Sequence, residues 1–114
     1  MADIRLKRAA FEAPNGKKYE LACTFNTLAD LEESFGTVYA ALTSVSVYKT
    51  VRVALASMLN DYNEEHKDPE RFTPTQAGRL ISPNAQQSTE TCNMIVSLIV
   101  EAVKPAETEE ETKN

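Results

Sequence analysis

The chain has few of the residues on which most enzyme sites are built. Its 114 residues include one histidine, two cysteines and three glycines. A zinc site needs more ligands than one histidine and two cysteines supply, and so few glycines argue against a phosphate-binding loop. The motifs of dinucleotide-binding proteins, metalloproteases and serine hydrolases do not occur in the sequence. We therefore expect no catalytic residue, no metal and no cofactor.

Charge and hydropathy argue against two classes of partner. The chain carries 12 Lys and Arg against 17 Asp and Glu, a formal net charge of -5. A nucleic-acid binder needs a basic face to displace counterions, and anionic membranes attract clusters of Lys and Arg. No apolar run is long enough to span a membrane, and the N-terminus lacks the apolar core of a secretory signal. We expect a cytosolic protein that binds neither nucleic acid nor membrane.

The reactive side chains that do occur have ordinary structural explanations. Cys23 and Cys92 lie far apart in the sequence, on a predicted strand and a predicted helix, where a reducing cytosol favours two small buried hydrophobes. His66 stands beside Lys67 at a predicted helix end, and we expect it at the surface, interacting with the last helix carbonyls. Neither pattern indicates a nucleophile with its base.

The N-terminal part of the chain predicts a β-hairpin. Residues 4–12 form the first predicted strand, with Ile4, Leu6 and Phe11 toward the core. Residues 13–17 contain Asn-Gly, which supplies the positive φ angles of a tight turn. Residues 18–25 form the return strand, whose inward face alternates as Tyr19, Leu21 and Cys23.

Helical periodicity dominates the rest of the chain. Thr24 or Asn26 caps a first helix that Gly36 ends, and a short helical turn follows over residues 37–42. The inward face of the first helix is Leu28, Leu31 and Phe35, and its acidic residues, Asp30, Glu32 and Glu33, form a solvated face. A long helix over residues 45–65 repeats one apolar stripe: Val47, Val51, Leu55, Met58, Leu59 and Tyr62.

Two more helices complete the chain. Thr73-Pro74 opens a short helix over residues 75–81, and Ser82-Pro83-Asn84 separates it from a last helix over residues 85–103. We predict one α+β domain over residues 1–104, an N-terminal β-hairpin packed on about four helices. The acidic tail, residues 105–114, has too little apolar surface to fold and is expected to be disordered.

The last helix is apolar on nearly every side in its second half. Such a helix is either a central core helix, wrapped here by the hairpin and the long helix, or it faces a partner or a second copy in a homo-oligomer. The candidate partner-binding residues on this helix are Met94, Val96, Val100 and Val103. A second candidate groove on the long helix consists of Val47, Val51 and Leu55.

Two sequence blocks resemble a known family. The chain reads YELACTFNTLADLEESFG over residues 19–36 and FTPTQAGRLISP over residues 72–83. In this order, after a hairpin and around an amphipathic helix, the blocks resemble the tail-assembly chaperone family of gene transfer agents and related siphophages, also labelled a phage tail tube protein. The resemblance covers about residues 17–103. The matching positions are Leu21, Thr24, Leu28, Leu31-Glu32-Glu33, Phe35-Gly36, Thr73-Pro74, Ala77 and Ile81.

The resemblance implies a non-catalytic role in the assembly of a phage or prophage tail. Such chaperones bind the tape measure protein in the host cytoplasm, keep its apolar helices soluble, and leave as the tail tube protein polymerises around it. The alternative is a structural tail protein, a tube or tail-terminator subunit. A tube subunit needs extensive strands, and this sequence predicts only one hairpin, so we favour the chaperone.

Overall fold

The structure is a computed structural model that describes residues 7–81 and 84–104. Across these residues it contains a two-stranded hairpin and five helices, which confirms the predicted α+β class. The elements are β1 (Arg8–Glu12), β2 (Lys18–Ala22), α1 (Phe25–Phe35), α2 (Val38–Leu42), α3 (Val47–Glu65), α4 (Pro74–Gly78) and α5 (Ala85–Val103). The predictions for Ile4, Leu6 and the acidic tail concern residues outside the described part of the chain.

The hairpin forms as predicted, with an antiparallel register that places Phe11 opposite Tyr19. Gly16 has a φ of 90° in the turn, which glycine adopts without a steric cost. The Gly16 N–H donates to the carbonyl of Ala13 at 2.8 Å. Phe11, Tyr19 and Leu21 are buried on one face. The return strand ends at Ala22, earlier than predicted, because the chain turns into α1.

Helix α1 is held at both ends. Thr24 takes the N-cap position, and its hydroxyl donates to the carboxylate of Asp61 on α3. The side-chain amide of Asn26 donates to the same carboxylate at 2.9 Å, so a negative charge lies at the positive end of the helix dipole. Gly36, with a φ of 93°, ends the helix as predicted. Its N–H donates to the carbonyl of Glu32 at 2.7 Å.

Helix α3 is the centre of the domain. It packs against α1, α2, α4, α5 and β2, and nine of its 19 residues are buried. Those residues are Thr50, Val51, Ala54, Leu55, Ala56, Ser57, Met58, Leu59 and Asn63. The two hydroxyls among them have partners, since Thr50 donates to the carbonyl of Ala41 at 2.6 Å and Ser57 to the Thr27 hydroxyl at 3.5 Å.

Helix α4 is shorter than predicted but begins where the sequence indicates. Thr73 is the N-cap, and its hydroxyl accepts the Gln76 N–H at 3.1 Å while the Gln76 side chain accepts the Thr73 N–H at 2.9 Å. This reciprocal capping box provides hydrogen-bond acceptors for two N–H groups that have no partner within the helix. Ala77 is buried against α3, and the helix ends at Gly78.

Helix α5 has the predicted bounds and lies at the side of the domain. Asn84 caps it by accepting the Gln87 N–H at 3.1 Å. Only four of its 19 residues are buried, namely Cys92, Ile95, Leu98 and Ile99. It packs mainly against α3 and β1. Among the described helices none is both long and apolar enough to cross a membrane.

Candidate partner-binding surface

The outer edge of α5 carries apolar side chains that the domain does not cover. Val100 and Val103 are each 42% exposed, and Val96 is half-buried. The three residues follow one another at spacings of four and three, which places them along one side of the helix. We call them the α5 edge. The structure therefore brings three of the four residues predicted on this helix together on one face.

Met94 does not belong to this face. It is two residues before Val96, on the other side of the helix, where it lines a cleft with Phe11 and Leu80. It is half-buried and packs against the core. Its contribution is to the contact between α5 and the hairpin.

The second predicted groove, on α3, is corrected by the structure. Val51 is 1% exposed and Leu55 is 0% exposed, so both belong to the hydrophobic core. Val47, in the first turn of the helix, is the one member of this groove with an exposed side chain. Periodicity marked an apolar stripe correctly, but four helices and a strand cover it.

An exposed apolar corner lies where α2 leads into α3. Tyr39, Val45, Val47 and Tyr48 all have exposed side chains here. The sequence offered one signal for it, since Thr43-Ser44-Val45-Ser46 separates two helices and leaves Val45 without a place in either apolar stripe. The sequence interpretation above missed Tyr39, Val45 and Tyr48.

A cleft opens beside this corner, between α3, α4 and the start of α5. Its volume is about 310 Å³, and its lining includes Val51, Ile81 and Cys92. Tyr48 and Arg52 also line it, and both are exposed. The side chains in this cleft are mainly apolar, with one guanidinium.

The predicted interpretation of His66 is confirmed. Its Nδ1 lies 2.9 Å from the carbonyl oxygen of Tyr62, and its ring stacks on the Tyr62 ring with centroids 3.9 Å apart. His66 is also the C-cap residue of α3. The side chain thus completes a helix end, with one face of its ring against Tyr62.

The two cysteines are free and buried, as predicted. Burial raises the pKa of the Cys23 thiol to about 11 and also raises the pKa of Cys92. A buried thiol with a raised pKa carries little of the reactive thiolate near neutral pH. Within residues 7–81 and 84–104, His, Cys, Asp and Glu side chains form no group of three or more suited to a metal ion.

Comparison of the chain with models of known protein families, with curated proteins and with solved structures found no match. The resemblance to the tail-assembly family accordingly rests on the matching residues of the sequence alone.

Proposed function

We propose that this protein is a non-catalytic tail-assembly chaperone, which binds the tape measure protein in the host cytoplasm until the tail tube protein takes its place. The observation that carries the binding role is the α5 edge. The second half of α5 is apolar on nearly every side, yet the helix lies at the side of the domain and leaves Val100 and Val103 exposed. The resemblance described above supplies the identity of the partner.

The geometry of the α5 edge suits a helical partner. Val96, Val100 and Val103 have the spacing with which one helix packs along another, and they extend over about 10 Å of the helix axis. A tape measure helix with an apolar stripe would bury these valines. Because the stripe would then be covered, it would no longer be available for aggregation. Since the contact is small, tube subunits could displace it.

The alternative, a structural tube or tail-terminator subunit, has less support. A continuous β-lined tube needs several strands from each subunit, whereas the described residues form one sheet of two five-residue strands. The mainly helical domain therefore favours the chaperone.

Co-expression with the tape measure protein of the same gene cluster tests the proposal. A soluble complex that is recovered by pull-down, and forms only when this protein is present, is the expected result. If the tape measure protein stays insoluble while this protein alone assembles into rings or tubes in light scattering, the structural alternative replaces the chaperone.

A pair of double variants locates the contact. Val100→Lys with Val103→Lys should abolish the soluble complex, because two charges would be buried in an apolar contact. Gln86→Lys with Gln87→Lys is the matched control, since it adds the same charge at exposed positions in the first turn of the same helix, nine or more residues before the α5 edge. Unchanged circular dichroism must accompany the loss. Equal solubilisation by both double variants would remove the α5 edge from the proposal.

A further inference from the structure

We propose that copies of this chain associate head to tail, with Phe25 on α1 of one copy entering the cleft beside Tyr48 and Arg52 on the next. This contact is independent of the α5 edge. It joins two surfaces that are both exposed, both partly aromatic and opposite in charge.

The receiving surface is the cleft with its cationic border. A volume of about 310 Å³ has room for a phenyl ring, since a cavity of about 150 Å³ holds benzene. Val51 and Ile81 contribute apolar lining, and Arg52 contributes a guanidinium. Lys49 and Arg52 are both exposed, and they are the only charged residues between positions 37 and 60. The cleft is thus a local cationic site on an acidic protein.

The entering surface is the outer face of α1. Phe25, the first residue of α1, is 86% exposed, although burial of a phenylalanine side chain is favourable. Glu32 and Glu33 are exposed on the same side of the helix, seven and eight residues later. Residues 19–48 contain four carboxylates and no Lys, Arg or His, so every charged side chain that α1 itself carries is acidic.

The spacing of the two surfaces is compatible. At a rise of about 1.5 Å per residue, Glu32 and Glu33 lie about 10–12 Å along the helix from Phe25. With the Phe25 ring in the cleft, the long side chains of Arg52 and Lys49 can reach these carboxylates.

Charge complementarity selects a second copy as the occupant. A chain with a net charge of -5 repels itself in most orientations, but α1 facing the cleft brings opposite charges together. The two surfaces differ, so the contact is heterologous and extends into rings or open chains rather than closing as a twofold dimer. The α5 edge takes no part and stays free for another partner.

Analytical ultracentrifugation of the purified protein tests the contact. At an ionic strength of about 0.1 M, sedimentation should show species larger than a monomer that increase with protein concentration and decrease with added salt. Phe25→Ser should weaken the association by about tenfold or more. Val103→Ser, which removes an exposed apolar side chain from the α5 edge, should leave it unchanged. A monomer at every concentration, or a loss caused by Val103→Ser alone, would overturn the proposal.

Mixing two defective variants tests the head-to-tail order. Phe25→Ser keeps the cleft, and Arg52→Glu keeps the entering face, so each should be monomeric alone and the mixture should form a heterodimer that grows no further. Mixing Glu33→Arg with Arg52→Glu should likewise restore binding, because the new arginine on α1 of one variant faces the new glutamate in the cleft of the other. A mixture that stays monomeric, or one that forms larger species, contradicts this arrangement. Because these measurements use the protein alone, their failure leaves the tape measure experiment unaffected.

Discussion

The side chain of Asn60 and the backbone of Phe72 exchange two hydrogen bonds. Asn60 Nδ2 donates to the Phe72 carbonyl at 3.0 Å, and the Phe72 N–H donates to Asn60 Oδ1 at 2.8 Å. The side-chain amide thereby pairs with both backbone polar groups of Phe72, as a residue of a neighbouring strand would. This pair fixes the irregular segment before α4 to the C-terminal half of α3, and so helps to position α4 against the central helix.

Asn60→Ala should lower the free energy of unfolding by about 1–3 kcal/mol, because it leaves a partly buried N–H and carbonyl of Phe72 without partners. Chemical denaturation monitored by circular dichroism measures the change. Asn93→Ala is the matched control, an exposed asparagine in the interior of a helix of the same length, and it should be neutral or slightly stabilising. Equal effects of the two substitutions would show that the Phe72 bonds contribute nothing.

Val47 and Val51 are one turn apart on α3 but differ in burial. Val51→Ala should lower the free energy of unfolding by about 2 kcal/mol, because it removes buried methyl groups from the core. Val47→Ala should change it by less than about 0.5 kcal/mol, as is usual for an exposed position. Denaturation midpoints of the two variants measure the difference. A larger loss for Val47→Ala would contradict the assignment of Val51 to the core.

Local chemistry made much of this fold predictable from the sequence. The hairpin follows from Asn15-Gly16 and from alternating residues, both of which act within a few positions. The end of α1 follows from Gly36 and the start of α4 from Thr73-Pro74, because caps satisfy backbone groups in the adjacent turn. Such signals do not depend on how the elements pack.

The packing between elements was not predictable in the same way. The apolar character of α5 left open whether it is the central helix, but α3 takes that place with polar groups such as Thr50 and Asn63 buried along it. A hydroxyl or amide can be buried when a partner carbonyl lies opposite it, as Ala41 does for Thr50. Sequence periodicity does not contain that information, and for the same reason it assigned Val51 and Leu55 to a surface.

An ion pair joins the hairpin to the segment after α3. Lys17 Nζ lies 2.7 Å from Asp68 Oδ2, and this hydrogen bond raises the pKa of Lys17 and lowers the pKa of Asp68. The contribution of Asp68 to stability is therefore present above its ordinary pKa of 3.8 and is lost as pH falls through the lowered value. The contribution of Lys17 to stability is present below its ordinary pKa of 10.5 and is lost as pH rises through the raised pKa.

Lys17→Met should accordingly lower stability slightly between these two limits, and by less below the lower limit, where Lys17 Nζ still lies 5.3 Å from the centroid of the Tyr19 ring. It should also raise the pKa of the Asp68 carboxyl toward its ordinary value, which NMR titration of the side-chain carbonyl carbon measures directly. Lys18→Met, at the next position of the hairpin, makes the same change in net charge and should leave the pKa of Asp68 where it is. If both variants shift the pKa equally, the cause is general charge and not the ion pair.

Lys67 follows the C-cap of α3 and has a φ of 60°, the left-handed conformation that glycine adopts most readily. Its side chain is exposed, so Lys67→Gly removes strain without removing packing and should raise the free energy of unfolding by about 1 kcal/mol. Thermal and chemical denaturation measure the gain. His66→Gly is the matched control with a φ of -96°, and it should lower stability because the Tyr62 stacking is lost. A loss of stability in Lys67→Gly would contradict a left-handed residue at this helix end.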